Sequence, residues 1–251
     1  MNSKERFSSR VDTYTKYRPS YPAEAIDYLY GTVGLSEASE VLDVGAGTGI
    51  FSRLLLERGS RVTAVEPNEA MREAALEASR NNPRFKAVPG SAEETGFPDD
   101  SYDFIVSAQA FHWFDRTAAQ REFHRVLKPG GKAILVWNTR LTEGTPFLEG
   151  YERLLQGLGT DYGQVNHRNI SHEALIGFFK PDGMTETRFR NRQVFDFDGV
   201  AGRLLSSSYS PQPGQPGHER MMQELRDLFD RCQENGTVDF DYVTEIYWGE
   251  V

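Results

Sequence analysis

The stretch Glu40-Val41-Leu42-Asp43-Val44-Gly45-Ala46-Gly47-Thr48-Gly49-Ile50-Phe51 decides how this chain is read. Val41 to Val44 is a short apolar run of the kind that fills a strand buried on both faces. It ends in three glycines at alternate positions, and Ile50 to Arg58 have helix-forming character. A strand that turns through glycines straight into a helix presents bare backbone and a helix N-terminus to a ligand.

Outward from this turn the pattern alternates. Further strands are predicted at 61–65, 85–88, 102–107 and 132–137, with helices at 23–31, 49–58, 69–80 and 115–127. Such alternation means an α/β fold, a mostly parallel sheet with helices on both faces. Beyond Asn138 it weakens. Helices are predicted at about 146–157, 171–179, 198–207 and 217–234, and two strand-like runs remain, Met184 to Phe197 and Thr237 to Trp248. In the second, Val238, Phe240 and Tyr242 alternate with polar neighbours, as in a half-buried strand. There is no internal repeat and no separating linker. The expectation is one domain over 1–251, with an N-terminal arm and helix (1–35), a ligand-binding core (38–138) and cap helices with edge strands (139–251).

Composition narrows the class. A hydrophobic content of 38% with 12% aromatics supports a real core in 251 residues. A net charge of −9 argues against nucleic acid or an anionic membrane as partner, because phosphate binding needs a basic surface. The single cysteine, Cys232, rules out an internal disulfide and any Cys-rich zinc site, and fits a reducing, cytoplasmic setting. The first ten residues lack the apolar segment of a signal peptide, and no run approaches the ~18 apolar residues of a spanning helix. No metal site is expected, and the oligomeric state is left open.

The ligand is narrowed by what surrounds the glycines. A nicotinamide or flavin dinucleotide loop wants Gly-x-Gly-x-x-Gly, and its last glycine would fall at Ile50. Asp43, just before the turn, is badly placed for a pyrophosphate and suits a ligand carrying an amine. S-adenosylmethionine has one, with a sulfonium centre and no phosphate. Glu66, directly after the second strand, is placed to accept hydrogen bonds from both ribose hydroxyls, a device that dinucleotide enzymes share. An NAD(P)-dependent oxidoreductase therefore stays open as the alternative at this point.

Taken together, Val41 to Gly49, Val65-Glu66-Pro67-Asn68, Gly90-Ser91-Ala92-Glu93, Phe97 to Asp103 and Leu127 to Lys132 resemble the class I S-adenosylmethionine-dependent methyltransferases, particularly the type 11 family. The resemblance spans roughly residues 38–138. It implies a doubly wound, seven-stranded sheet whose last two strands form an antiparallel hairpin at one edge. Carried over by position, Gly45, Gly47 and Gly49 line the amino-acid moiety of the cofactor, with Asp43 beneath it. Glu66 holds the ribose, Pro67 and Met71 lie against the adenine, and Ala92 and Glu93 border its edge. Ser91 stands where the family often has Asp.

The segment Ser107-Ala108-Gln109-Ala110-Phe111-His112-Trp113-Phe114-Asp115 follows the fourth strand and should border the reactive methyl, because ligands sit outside the carboxyl ends of strands in open α/β sheets. Ala108 is placed against the cofactor, Gln109, Phe111 and Trp113 against the acceptor, and Phe114 is the aromatic expected to pack inward. His112 is the candidate catalytic residue, as base for a hydroxyl acceptor or as orienting group for a carboxylate. In the N-terminal arm, Tyr14 and Arg18 are placed against the cofactor and Tyr17 against the acceptor; Tyr209, in a Ser- and Pro-rich loop, is a candidate lid residue. The Gln109 to Phe114 motif, with Tyr17-Arg18-Pro19-Ser20-Tyr21-Pro22, is similar to the branch of trans-aconitate methyltransferase-like proteins. That likeness implies a small-molecule acceptor, such as a carboxylic acid. A protein acceptor and a cofactor-binding protein without catalysis remain alternatives.

Overall fold

The computed structural model describes residues 15–160, 162–163, 170–181 and 183–251. Seven strands form one sheet in the order β3-β2-β1-β4-β5-β7-β6. They are β1 (Glu40–Val44), β2 (Arg61–Val65), β3 (Phe85–Val88), β4 (Tyr102–Ala108), β5 (Leu127–Arg140), β6 (Thr185–Phe195) and β7 (Val238–Gly249). The first five run parallel, and β7 is antiparallel to both β5 and β6. The two strand-like runs of the second half are thus the antiparallel pair at the edge. Strand order reverses between β1 and β4, which opens a crevice at their carboxyl ends, where ligands of open α/β sheets bind.

Among the described residues the α-helices are α1 (Ala23–Tyr28), α2 (Ile50–Glu57), α3 (Glu69–Ala78), α4 (Arg116–Val126), α5 (Pro146–Leu158), α6 (His172–Ile176), α7 (Phe197–Leu205) and α8 (His218–Cys232). Their starts are written locally. Asn68 accepts from the Met71 amide at 3.0 Å, Asp115 from those of Thr117 and Ala118, and Asp196 from that of Gly199 at 2.8 Å. Each satisfies amide groups that a first helical turn leaves unpaired. The helix predicted at 23–31 is α-helical only as far as Tyr28. It widens into a π-turn over Leu29–Val33 and stops at Gly34, whose φ of +107° suits glycine.

One apolar layer packs α4 and Phe178 against one sheet face, and a second packs α1 and α2 against the other. A third cluster lies in the cap, where α5, α7 and α8 close over Val238, Phe240 and Tyr242 at the start of β7. The predicted fifth strand, 132–137, proves to be part of a 14-residue strand that begins at Leu127 and runs through Pro129-Gly130-Gly131 to Arg140. A register shift between Tyr102 and Phe104 absorbs those residues, so a segment that reads as a turn is taken up into the ladder.

Candidate active site

The crevice between β1 and β4 holds a cavity of about 200 Å³. Its floor is the strand-turn-helix. Gly45, Gly47 and Gly49 have φ values of +72°, +56° and +73°, all in the left-handed region. A Cβ on Gly45 would stand 2.4 Å from that of Ala110, so glycine is required there by contact as well as by backbone. At Gly47 a Cβ would meet only the Met71 sulfur at 4.0 Å, so the backbone there is left bare towards the cavity it lines.

Two buried carboxylates frame this turn. Glu66 accepts the Gly47 amide through Oε2 at 2.9 Å and the Asn68 amide through Oε1 at 2.8 Å, and it lines the cavity. Burial pushes its pKa above the ordinary value, against the opposing pull of those two N–H groups. Asp43 is fully buried beneath the turn and accepts the Ser52 hydroxyl at 2.6 Å. Burial drives its carboxyl up to about 7; the Ser52 bond opposes this and the nearby Glu66 adds to it. Its Oδ1, like the buried Thr48 hydroxyl on the cavity wall, meets no hydrogen-bonding partner among the described residues. Of the two, Thr48 lines the cavity and can meet a polar ligand there, whereas Asp43 lies beneath the lining.

Pro67, Met71, Ala92 and Glu93 line the same cavity, as does Ala108 at the end of β4. Gln109 follows with φ +63° while its amide still donates to Val136 at 2.8 Å, so strained backbone marks the point where the chain leaves the sheet for the site. Trp113 also lines the wall, and so does Arg18 from the N-terminal arm.

Other expected positions fall elsewhere. His112 is not among the lining residues; it lies in the 3₁₀ turn Phe111–Trp113 with its ring 4.8 Å from that of Trp113. Phe111 and Phe114 exchange roles. Phe111 is fully buried against Phe178 and Trp137, at centroid distances of 4.7 and 6.0 Å, whereas Phe114 faces the cavity. The 3₁₀ turn causes the exchange, because it sends the first aromatic of the run inward. Tyr17 packs on α7, so tightly that a Cβ at Gly202 would come within 2.2 Å of its ring. Tyr209 packs on Tyr162 at 4.9 Å and does not line the cavity. Gly49 caps α2 rather than facing the cavity, and Tyr14 lies outside the described residues.

Among the wall residues not singled out as site residues in the sequence are three with polar side chains. Tyr21 comes from the arm, Asn138 from the far end of β5 and Arg203 from α7. Asn138 Oδ1 accepts from Thr244 at 2.6 Å and from Asn191 at 3.0 Å, and its amide donates to Ser20 at 3.2 Å. These contacts tie the wall to β6, β7 and the arm at once. Among the described residues no cluster of side chains could hold a metal ion, and no helix is long and apolar enough to cross a membrane.

The family model of the methyltransferase domain matches residues 42–135. An uncharacterised methyltransferase of Mycobacterium tuberculosis is 46% identical over 134 residues, 53% of this chain and 52% of that one, so the match spans about half of either protein. An uncharacterised methyltransferase of Geobacillus sp. (strain WCH70) is 30% identical over 202 residues, 75% of this chain and 92% of the relative. Among solved structures, one assigned as a type II methyltransferase from Anaeromyxobacter dehalogenans superposes with a TM-score of 0.68, covering 93% of this chain and 98% of that chain at 23% identity. That likeness concerns the fold.

Proposed function

This chain belongs to the class I S-adenosylmethionine-dependent methyltransferases, and from that premise we propose that it methylates a small molecule enclosed in the cavity between β1 and β4. One observation carries the reading. A single cavity is bounded on one side by the glycine turn, Glu66 and Met71, and on the other by Trp113, Gln109, Tyr21, Asn138 and Arg203. Cofactor and acceptor then share one enclosed space, as direct transfer requires.

S-adenosylmethionine supplies a methyl group already activated by its sulfonium, so the protein's part is alignment and exclusion of water. Glu66 would hold the ribose hydroxyls, and the bare backbone of Gly45 and Gly47 would take the amino-acid end, with Asp43 beneath. Met71, Pro67 and Ala92 would enclose the adenine. No histidine or lysine among the described residues lines the cavity. Arg18 and Arg203 put positive charge on its wall, so an acceptor that arrives already ionised suits the site, which favours a carboxylic acid over an alcohol. The similarity to trans-aconitate methyltransferase-like proteins in the Gln109 to Phe114 segment points the same way. A macromolecular acceptor suits a cavity with buried walls less well.

The test is a titration followed by a product assay. S-adenosylhomocysteine is expected to bind at micromolar affinity and NADH not at all. Release of S-adenosylhomocysteine is then followed over a panel of small acids, alcohols and amines. Binding of NADH in place of S-adenosylhomocysteine would sink the proposal, and cofactor binding without methylated product across the panel would reduce the protein to a binder.

A further inference from the structure

Arg203 sits on α7 with 6% of its surface exposed, and it reaches the cavity wall. Its Nε donates to the Tyr242 hydroxyl at 3.0 Å and its Nη1 to the Ser207 hydroxyl at 3.0 Å. Phe240 and Tyr242 stack near the guanidinium, 5.7 and 6.0 Å from ring centroid to Cζ. Among the described residues no carboxylate lies within ion-pair distance of it, and none accepts from Nη2. Its neighbour in the cap behaves differently: Arg140 is paired with Glu152 and also donates to Tyr162 at 3.0 Å.

A buried guanidinium with an acidic partner is a structural pair, whereas one without is a charge held ready. Burial works against the charge of Arg203. The phenols of Tyr242, Tyr209 and Tyr151 favour it, and the group stays protonated. A guanidinium has five N–H donors in a planar fork, and the two protein bonds leave the Nη2 edge for a planar, two-oxygen anion. A second cation stands nearby on the wall, Arg18, whose Nη2 donates to the Ser206 carbonyl at 3.0 Å, one turn along from Arg203.

Resting on the methyl-transfer reading above, we infer that Arg203 is the residue that recognises the acceptor, by gripping a carboxylate on it, and that Tyr242 is the positioning residue that aims the guanidinium. Tyr242 suits this role because its hydroxyl is engaged twice. It accepts from Arg203 and donates to Gln193 Oε1 at 2.9 Å. Gln193 in turn donates to the Tyr17 carbonyl at 3.3 Å, and the Tyr17 ring packs on Gly202 beside Arg203. The fork is thus fixed from β7, β6 and the arm together, and its rotamer is set before any acceptor enters.

The experiment uses the full chain saturated with S-adenosylhomocysteine. Calorimetric titration follows binding of small mono-, di- and tricarboxylic acids and of the amide of each acid. In the wild type at least one acid is expected to bind more tightly than its amide by about ten- to a hundredfold, the range of a charged hydrogen-bonded contact. Arg203→Gln is expected to bring that ratio to about one while S-adenosylhomocysteine affinity stays within about twofold. Arg203→Lys restores part of it, since charge returns without the fork. Tyr242→Phe keeps the charge and loosens its aim, so the KM for the acid rises by about three- to tenfold with kcat little changed. It also serves should Arg203→Gln not fold. The inference is overturned if no acid outbinds its amide, or if Arg203→Gln or Tyr242→Phe bind the acid as the wild type does. Methylation of neutral or amine acceptors alone would overturn it and leave the methyltransferase reading standing. Acid binding that depends on Arg203 with no methylated product would do the reverse.

Discussion

Glu66 offers the sharpest test of the cofactor cradle, because both of its oxygens are already committed. Oε2 accepts from the Gly47 amide and Oε1 from that of Asn68. Glu66→Gln is nearly isosteric, yet whichever way the new amide turns, its NH₂ faces one of those two backbone N–H groups. One buried donor loses its acceptor, at about 1–3 kcal/mol, and the other bond falls from charge-assisted to neutral, at about 1 kcal/mol. Burial has pushed the Glu66 carboxyl above its ordinary pKa, so removing its charge returns part of that cost. The net expectation is a loss of about 2 kcal/mol in stability at pH 7, read by urea unfolding. Affinity for S-adenosylhomocysteine should fall by a further tenfold or more, about 1.4 kcal/mol, through the ribose hydroxyls. A 2′,3′-dideoxy analogue provides the control. The wild type should prefer S-adenosylhomocysteine over it strongly, and the variant should not. Unchanged stability in Glu66→Gln, or an undiminished preference for the ribose hydroxyls, would refute the reasoning.

Three other outcomes follow from the same geometry. Asp43 has a folded pKa of about 7 against an ordinary 3.8, so its contribution is whole below about pH 4 and is lost as pH rises through 7, amounting to about 4 kcal/mol at pH 8. The cofactor-free protein should therefore melt progressively lower from pH 5 to 8, and Asp43→Asn should flatten that fall; parallel melting profiles for the two proteins would contradict it. Gly45→Ala should cost about 3 kcal/mol from its contact with Ala110 and its left-handed backbone, whereas Gly47→Ala should cost about 1 kcal/mol yet abolish cofactor binding, separable by unfolding and titration. His112→Ala should change turnover by no more than about threefold, because the residue does not line the cavity; a loss of a hundredfold, the scale of acid–base catalysis, would return it to the chemistry.

Much of the fold was legible because its signals are local. The glycine turn and the strand-helix alternation are each written within a few residues, and the alternation of Val238, Phe240 and Tyr242 announced β7. Local reading failed where tertiary pairing overrides composition. Pro129-Gly130-Gly131 belong to β5 only because β4 shifts register to meet them. The cofactor side of the cavity was legible from Gly45 to Glu93 because one motif block encodes it. The acceptor side was legible only in part, at Gln109 and Trp113. Arg203 looks like any helix arginine until α7 is packed on β7, Asn138 lies past the end of the strand that was predicted, and Tyr21 arrives from the arm. Within Gln109 to Phe114 the residue types pointed to the site, but only the left-handed backbone of Gln109 and the 3₁₀ turn decide that Trp113 and Phe114, rather than Phe111 and His112, face the cavity.

The length of β5 carries a further consequence. This one strand pairs with β4 through Val136 and with β7 as far as Arg140, so Asn138 on the acceptor wall is joined to the cofactor side by unbroken sheet. Inserting or deleting a single residue before Asn138 would turn its side chain to the opposite face and shift every later pairing with β7. The strand therefore acts as a fixed ruler between the two halves of the cavity. Relatives that take other acceptors are expected to differ by exchanging side chains on α7 and β7, and to keep the count of residues in β5.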